Sequence, residues 1–175
     1  PQIVIEPGRW LWRVTWHEGV AWGFSYGDGK FDLHKSVDGI HWQTYISDVC
    51  KEGGSKTEVD VEFDEEGKMI AYVRRDDANA ILGLSSKPYK DWVWHDLGDS
   101  FIVPLGFGGP NLVKTPTGWI GGGRMFRDQG DYTTAHTALT SIDVENATMK
   151  KILELPSGGD TSYPGFVWHD DLLYM

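Results

Sequence analysis

Hydrophobic and polar residues alternate along most of this chain in short runs, and Gly, Pro, Asn and Asp separate one run from the next. Such alternation is typical of half-buried β-strands, whereas the 3.6-residue period of an amphipathic helix is almost absent. In the stretch from Glu58 to Glu66, for example, acidic residues alternate with Val59, Val61 and Phe63. The pattern therefore predicts an all-β fold with many tight turns.

The predicted strands fall into groups of four. Three complete groups lie near residues 10–46, 57–97 and 110–154, and an unfinished fourth begins at 163. The strands are predicted near 10–16, 20–26, 31–36 and 41–46, then 57–63, 68–74, 80–85 and 92–97, then 110–115, 119–124, 136–143 and 148–154, and finally 163–168 and 172–175. Residues 2–6 also have the pattern of a strand, the outer strand of a preceding group.

Internal repeats support this grouping. Residues 14–20 return as 166–172, Trp42 returns as Trp92, and the turn glycine Gly67 returns as Gly118, at offsets of 152, 50 and 51 residues. A period of about 50 residues built from strands and turns is typical of a β-propeller blade. We therefore predict one partial propeller domain of about three and a half blades.

Three and a half blades leave unpaired sheet edges, because only closure of the ring pairs the first blade with the last. Two arrangements would cover those edges. In the first, which we favour, the chain is a segment of a longer polypeptide. In the second, several copies associate with one another to close a ring.

Composition narrows the classes of function. Nine Trp, seven Tyr, seven Phe and 22 Gly suit an all-β protein, and the net charge of -10 argues against nucleic acid or an anionic membrane surface as a partner. No apolar run approaches the length of a membrane span. Cys50 is the single cysteine, the six histidines have no metal-ligand spacing, and no helix follows the glycines at 106–109 or 121–123. These features predict neither a disulfide framework nor a metal, nucleotide or other cofactor.

Four residues are predicted to meet at one end of the central channel, where the loops of a propeller build its binding site. Glu58 begins the first strand of the second group, and Arg74 ends the second strand of that group. Arg124 ends the equivalent strand of the third group, and Tyr163 begins the first strand of the fourth. This set combines an acid, two cations and a phenol.

Several segments resemble the sialidase (neuraminidase) superfamily of six-bladed propellers with BNR or Asp-box repeats. Residues 36–42 are similar to the Asp box, a turn between outer strands, in a form shortened by one residue. Residues 57–74 are similar to the family's segment from its catalytic glutamate to its second arginine, and 109–124 to the segment that carries its third arginine. Tyr163 falls where the family has its nucleophilic tyrosine. The resemblance extends over essentially the whole chain.

The resemblance implies an exo-sialidase-like glycoside hydrolase that acts on terminal sialic acid or a related acidic sugar. Tyr163 would be the nucleophile and Glu58 its base, since a phenol is a poor nucleophile until a neighbour takes its proton. Arg74 and Arg124 would clamp the sugar carboxylate. Arg13, Asn111 and Asp160 would be further substrate contacts. The family's first arginine and its acid/base aspartate lie in an earlier blade, so we expect this chain alone to be inactive.

Other interpretations remain open. The propeller could bind carbohydrate without catalysis, or it could be a structural or interaction module. Arg74 and Arg124 could be structural ion-pair partners of Asp76, Asp77 or Asp128. The family resemblance favours a secreted or periplasmic location.

Overall fold

The computed structural model describes residue 5 and residues 7–98, 107–127 and 131–175, and these ranges form four antiparallel β-sheets. We call the sheets blades one to four, in chain order. The predicted strand at residues 2–6, apart from Ile5, and the positions Gly106 and Asp128 lie outside the described residues. Within the described ranges, no helix is long and apolar enough to cross a membrane.

The strands follow one another along the chain, and each complete blade is a meander. Blade one contains β1 (Trp10–Leu11), β2 (Thr15–His17), β3 (Val20–Gly27), β4 (Lys30–Ser36) and β5 (Gln43–Ile46). Blade two contains β6 (Lys56–Phe63), β7 (Met69–Arg75), β8 (Ile81–Ser85) and β9 (Val93–Asp96). Blade three contains β10 (Gly108–Thr115), β11 (Gly118–Phe126), β12 (Ala135–Asp143) and β13 (Thr148–Glu154), with a turn of 3-10 helix at Tyr132–Thr134. Blade four contains β14 (Val167–His169) and β15 (Leu172–Tyr174).

The prediction of an all-β fold is confirmed. In each complete blade, every strand after the inner edge pairs antiparallel with the one before it. The first strands of blades two and three, β6 and β10, contact each other, and β6 also contacts β2 and β3 while β10 contacts β14. The first strand of each blade therefore lies innermost, which is the arrangement of a propeller.

The core is divided between the junctions of neighbouring blades. Strand β7 has the sequence Met-Ile-Ala-Tyr-Val over residues 69–73, all fully buried, because its two faces pack against different blades. Met69, Ala71 and Val73 belong to the cluster shared with blade one, and Ile70 and Tyr72 belong to the cluster shared with blade three. Burial of Met69, Ile70 or Val73 contributes roughly 1.5–3 kcal/mol for each side chain.

The 50-residue repeat is preserved in the turns between the outer strands. The indole Nε1 of Trp42 donates to the carbonyl of Gly39 at 3.2 Å, and that of Trp92 donates to the carbonyl of Tyr89 at 3.1 Å. Gly39 and Tyr89 share a left-handed backbone, with φ of 72° and 66°. In the first turn, the Asp38 carboxylate accepts two backbone N–H groups at 2.7 and 2.8 Å. Hydrogen bonds between residues of the same turn therefore stabilise each turn, as expected for a structural motif.

Two predicted strands are different in the structure. The strand predicted at 10–16 is broken into β1 and β2, because one extra residue interrupts the pairing with β3. The strand predicted at 163–168 begins only at Val167. Tyr163 has a φ of 63°, in the left-handed region that a strand does not use, and Pro164 follows it without an N–H to donate. The placement of Tyr163 at the start of a strand was therefore wrong.

Candidate active site

The three inner strands share one irregularity, a bulge of a single residue near the end where each strand begins. In every case the inner strand has one residue more than the strand beside it, and the segments concerned are Leu11–Thr15 opposite Trp22–Ser25, Lys56–Val59 opposite Val73–Arg75, and Gly108–Asn111 opposite Gly122–Arg124. A bulge bends a strand and changes the direction of its side chains. These bulges carry Arg13, Glu58 and Gly109, so equivalent points of three blades contribute to one site.

Tyr163 and Glu58 meet at this end of the channel although 105 residues separate them. The phenol of Tyr163 donates to Oε1 of Glu58 at 3.0 Å. The glutamate is 6% exposed, whereas the tyrosine is 49% exposed. The ring of Trp12 lies 5.7 Å from that of Tyr163. The pair therefore has a buried acceptor and a phenol that solutes can reach.

The other oxygen of Glu58 is held from two sides. Arg74 Nη1 donates to Oε2 at 3.0 Å, and the backbone N–H of Gly109 donates to the same oxygen at 2.6 Å. Three donors thus fix the orientation of the carboxylate. Since charge-assisted hydrogen bonds are the stronger kind, this geometry is rigid before any ligand enters.

The surroundings keep Tyr163 protonated at neutral pH. Burial raises the pKa of the phenol, and both the charge of Glu58 and the hydrogen bond to it raise the pKa further, against the lowering effect of Arg124 and Arg74. A protonated phenol is a weak nucleophile until a base takes its proton, and the hydrogen bond of this phenol is accepted by Glu58 Oε1. The charges of Glu58, Arg74 and Arg124 all change the pKa of this phenol, so the four residues interact electrostatically.

Each arginine is also paired with an aspartate. Arg74 Nε lies 2.7 Å from Asp76 Oδ1, and Arg124 Nη1 lies 2.5 Å from Asp160 Oδ1. The guanidinium of Arg124 also lies over the ring of Tyr132, at 5.1 Å from the ring centroid. These ion pairs hold the head groups in place. Burial disfavours the charged form of Arg74, but Glu58 and Asp76 outweigh that cost and raise its pKa.

Two adjacent glycines give the backbone room at this point. A Cβ on Gly108 would lie 3.0 Å from Arg124 Nη2, and one on Gly109 would lie 2.6 Å from the ring of Tyr163 and 2.8 Å from its nitrogen. Gly109 also has a φ of 62°. Gly109 therefore allows the segment that leads into blade four to approach β10 closely, and Gly108 leaves room for the guanidinium of Arg124.

Arg13 and Asn111 link neighbouring blades. Arg13 Nη2 donates to the carbonyl of Pro164 at 3.0 Å. The amide nitrogen of Asn111 donates to the carboxylate of Asp60, and its oxygen accepts the backbone N–H of Phe166 at 2.7 Å. Both ends of the Asn111 amide are thus engaged by neighbouring inner strands.

The structure therefore brings together Tyr163, Glu58, Arg74 and Arg124, with Asp160 bound to one of the arginines. Sequence reasoning missed Trp12, the N–H of Gly109 and Asp60. Only Asp60 had a usable signal, because it lies between Glu58 and Glu62 in the alternating run. In the structure it is 3% exposed. No group of three or more His, Cys, Asp or Glu side chains among the described residues could hold a metal ion.

Comparison with known proteins shows the fold. No protein-family model matches the chain, and no curated protein has a matching sequence. The solved structure of the Bombyx mori GH32 β-fructofuranosidase BmSUC1 is similar with a TM-score of 0.69 and 15% identity, over 97% of this chain and 43% of that one. A mutant of the same enzyme in complex with sucrose is similar at the same TM-score and identity, over 99% of this chain and 44% of that one. An exo-1,5-α-L-arabinanase from a bovine ruminal metagenomic library has a TM-score of 0.61 and 13% identity, over 99% of this chain and 71% of that one.

These neighbours are β-propeller glycoside hydrolases, and the chain has the fold of part of such a propeller. It spans less than half the length of the fructofuranosidase. At sequence identities of 13–15%, these similarities show only that the chain shares the fold of the two enzymes. The more specific expectation of a six-bladed sialidase stays a prediction.

Proposed function

We propose that this chain is part of a glycoside hydrolase that cleaves a terminal acidic sugar of the sialic acid type, with Tyr163 as nucleophile and Glu58 as its base. The observation that carries the proposal is the 3.0 Å hydrogen bond from Tyr163 to a Glu58 carboxylate already fixed by Arg74 and Gly109. A nucleophile within hydrogen-bond reach of an oriented base is the pattern expected for covalent catalysis. The structural neighbours are named as glycoside hydrolases, which supports glycoside hydrolysis in general. An acidic sugar as the substrate is supported by the combination of one tyrosine, one glutamate and two arginines at the site.

In the proposed first step, the O–H bond of Tyr163 breaks, its proton passes to Glu58 Oε1, and the phenolic oxygen forms a bond to the anomeric carbon. The bond from that carbon to the leaving-group oxygen breaks, and that oxygen takes the electron pair and a proton from a general acid. In the second step, a water molecule forms a bond to the anomeric carbon and gives a proton to the deprotonated general acid. The bond from that carbon to the oxygen of Tyr163 breaks, and the phenolic oxygen takes its proton back from Glu58. On this proposal, the general acid belongs to a part of the propeller outside these 175 residues.

A tyrosine suits an acidic sugar better than the usual second carboxylate. Sialic acid carries a carboxylate on its anomeric carbon, so an ionised Asp or Glu nucleophile would be repelled, whereas a neutral phenol is not. The charges of Arg124 and Arg74 both act on the phenol of Tyr163, and guanidinium groups at this point would attract the sugar carboxylate.

The test is the variant Tyr163→Phe in the full-length protein, assayed with an aryl sialoside. Loss of the phenolic oxygen should lower kcat by about a thousandfold or more, while the Kd for N-acetylneuraminic acid changes only a few-fold. Tyr174→Phe is the matched control, because Tyr174 lies on β15 and takes no part in the proposed reaction, so kcat should not change. Unchanged turnover in the Tyr163 variant would remove the mechanism. If the unaltered protein binds the sugar without turnover, the non-catalytic carbohydrate-binding alternative is correct.

A further inference from the structure

The guanidinium of Arg124 lies almost completely inside the protein, with 8% of its side chain exposed. Its central carbon lies 5.7 Å from the ring centroid of Phe126 and 5.1 Å from that of Tyr132. A Cβ on Gly108 would lie 3.0 Å from Nη2. The anion that balances this cation is Asp160, whose Oδ1 lies 2.5 Å from Nη1. The Asp160 side chain is 64% exposed, so the ion pair joins a buried cation to an anion in contact with solvent.

The Asp160 carboxylate can leave this pair without a change in the loop that carries it. The backbone N–H of Asp160 donates to the carbonyl of Tyr132 at 2.9 Å, and the Ser157 hydroxyl donates to the carbonyl of Ala135 at 2.7 Å. These bonds hold the loop backbone against blade three. The carboxylate itself has Arg124 as its partner among the described residues, so rotation about the side-chain bonds is enough to move it into solvent.

This ion pair lies beside the candidate nucleophile. Gly108, which contacts Arg124, is followed by Gly109, where a Cβ would lie 2.6 Å from the ring of Tyr163. The N–H of Gly109 donates to Glu58. Two consecutive residues of β10 thus contact Arg124 on one side and the Tyr163–Glu58 pair on the other.

The other carboxylates of the surrounding loops and strands have partners of their own. Glu58 and Asp76 are bound by Arg74, Glu154 by Arg127 and Lys151, and Asp131 by the backbone N–H of Thr133. Asp160 is therefore the carboxylate that balances Arg124. Because a buried charge without a partner is costly, Arg124 would need another anion if Asp160 moved away.

We infer that the Asp160 carboxylate holds the place of the sugar carboxylate before substrate binds, and that an acidic sugar binds by displacing it from Arg124. One carboxylate then replaces another, so the charge beside the guanidinium stays balanced. A neutral sugar cannot make this exchange, because it brings no charge to replace that of Asp160. Asp160 is therefore a specificity-determining residue that excludes neutral sugars and weakens the affinity for acidic ones. The inference rests on the proposed function, since it takes Arg124 as the group that binds the sugar carboxylate.

The test is the variant Asp160→Asn, which removes the charge and suits the left-handed backbone of this residue, where φ is 37°. The protein is labelled with 15N-glycine and titrated with N-acetylneuraminic acid, with the amides of Gly108 and Gly159 as the readout. We expect the Kd to fall about fivefold in the variant, because the competing ion pair is lost. A residue that merely orients Arg124 would have the opposite effect, since its loss would weaken binding. An unchanged or higher Kd, both in this variant and in Asp160→Gly, which leaves no side-chain acceptor, would overturn the inference.

Asp171→Asn is the matched control. Asp171 is exposed and has a φ of 59°, and the substitution removes the same charge from a turn in blade four. Its Kd should stay within about twofold of that of the unaltered protein when all titrations are made in 0.5 M NaCl, where charges more than about 5 Å apart are largely screened. A gain in affinity equal to that of Asp160→Asn would mark a general effect of charge and contradict displacement.

A titration with acetate separates this inference from the proposed function. Acetate carries the carboxylate without the sugar, and its Kd should also be about fivefold lower in Asp160→Asn. If acetate behaves in this way while N-acetylneuraminic acid leaves the amide of Gly109 unmoved in every protein, Asp160 covers a carboxylate site but the proposed function is wrong. If N-acetylneuraminic acid shifts Gly109 with the same Kd in the unaltered protein and in both Asp160 variants, only the displacement is refuted. If neither anion shifts Gly108 in the Asp160 variants, both are refuted.

Discussion

Replacement of Asn111 by aspartate should make the stability of this fold depend on pH. The Asn111 amide donates to the carboxylate of Asp60 and accepts the N–H of Phe166, so it connects blades two, three and four near the channel. Asp60 is 3% exposed and also accepts the N–H of Leu112 at 2.7 Å. Burial raises the pKa of Asp60, against the effect of these donors and of the charge of Arg13. The site therefore holds one carboxylate at a cost, and a second carboxylate beside it would be repelled.

The magnitude follows from the contact. Asn111→Asp keeps an acceptor for Phe166 but sets two carboxylates about 3 Å apart, and their repulsion is about 5 kcal/mol at an effective dielectric constant of about 20. One proton shared by the pair removes that repulsion. The folded pair thus has a raised pKa and binds more protons than the unfolded chain, so stability falls as the pH rises above about 4. We expect a loss of about 4 kcal/mol at pH 8, or roughly 10 °C in Tm for a chain of this size.

The assay is urea unfolding followed by tryptophan fluorescence at pH 5 and pH 8, with each variant compared to the unaltered chain at the same pH. Asn111→Asp should be far less stable at pH 8 and much closer to the unaltered chain at pH 5. Asn111→Ala is the control, because it leaves Phe166 without an acceptor and Asp60 without one donor but brings in no second carboxylate. It should lose about 2 kcal/mol, with a much weaker dependence on pH than Asn111→Asp. Adding Asp60→Asn to Asn111→Asp leaves a single carboxylate, so the extra pH dependence should disappear.

Two results would refute this reasoning. If Asn111→Asp is as stable as the unaltered chain at pH 8, its side chain does not face Asp60. If its deficit is the same at both pH values and equals that of Asn111→Ala, the loss comes from packing and no carboxylate pair forms.

Two further predictions concern the same strands. Burial, followed by the charge of Asp60, raises the pKa of Glu62 to about 7. As the pH rises, Glu62 therefore ionises in the unfolded chain before it ionises in the folded one, and the folded state loses stability between about pH 4.5 and 7. Glu62→Gln should therefore raise the free energy of unfolding by about 2–3 kcal/mol at pH 8 and change it very little at pH 4. Glu65→Gln, at an exposed position, is the control. A difference from the unaltered chain that does not vary with pH would contradict the prediction. Gly109→Ala should lower the free energy of unfolding by about 2–4 kcal/mol and displace Tyr163, since φ is positive and the new Cβ meets Tyr163. Gly158→Ala, where a Cβ meets nothing within 4 Å, is the control, and equal urea midpoints for the two variants would contradict the close approach.

Much of the architecture follows from local patterns. Alternation and turn residues predict strands that have counterparts in all four sheets, because the pleat places successive side chains on opposite faces. The repeat also predicted that Glu58, Arg74, Arg124 and Tyr163 lie at one end of the channel, and the structure does bring them together. Their catalytic role stays a proposal.

Other features depend on contacts between blades. The bulges at Leu11–Thr15, Lys56–Val59 and Gly108–Asn111 leave no clear mark in the alternation, since one extra residue in a short strand resembles ordinary irregularity. Asn111 and Asp160 were expected to contact substrate, but in this structure their side chains are held by Asp60 and Arg124. Trp12 carried no signal at all, because the ring that it contacts, Tyr163, lies 151 residues away in the chain.

The sequence by itself determined the all-β class, the blade period and the residue types available to the site, because these depend on patterns within one strand or one turn. Only the tertiary structure decided which atoms of those residues meet. The 3.0 Å contact between Tyr163 and Glu58 joins positions 105 residues apart, through bulges that redirect the inner strands. Such a contact depends on how neighbouring blades pack, and packing is set by the whole chain at once rather than by any local pattern.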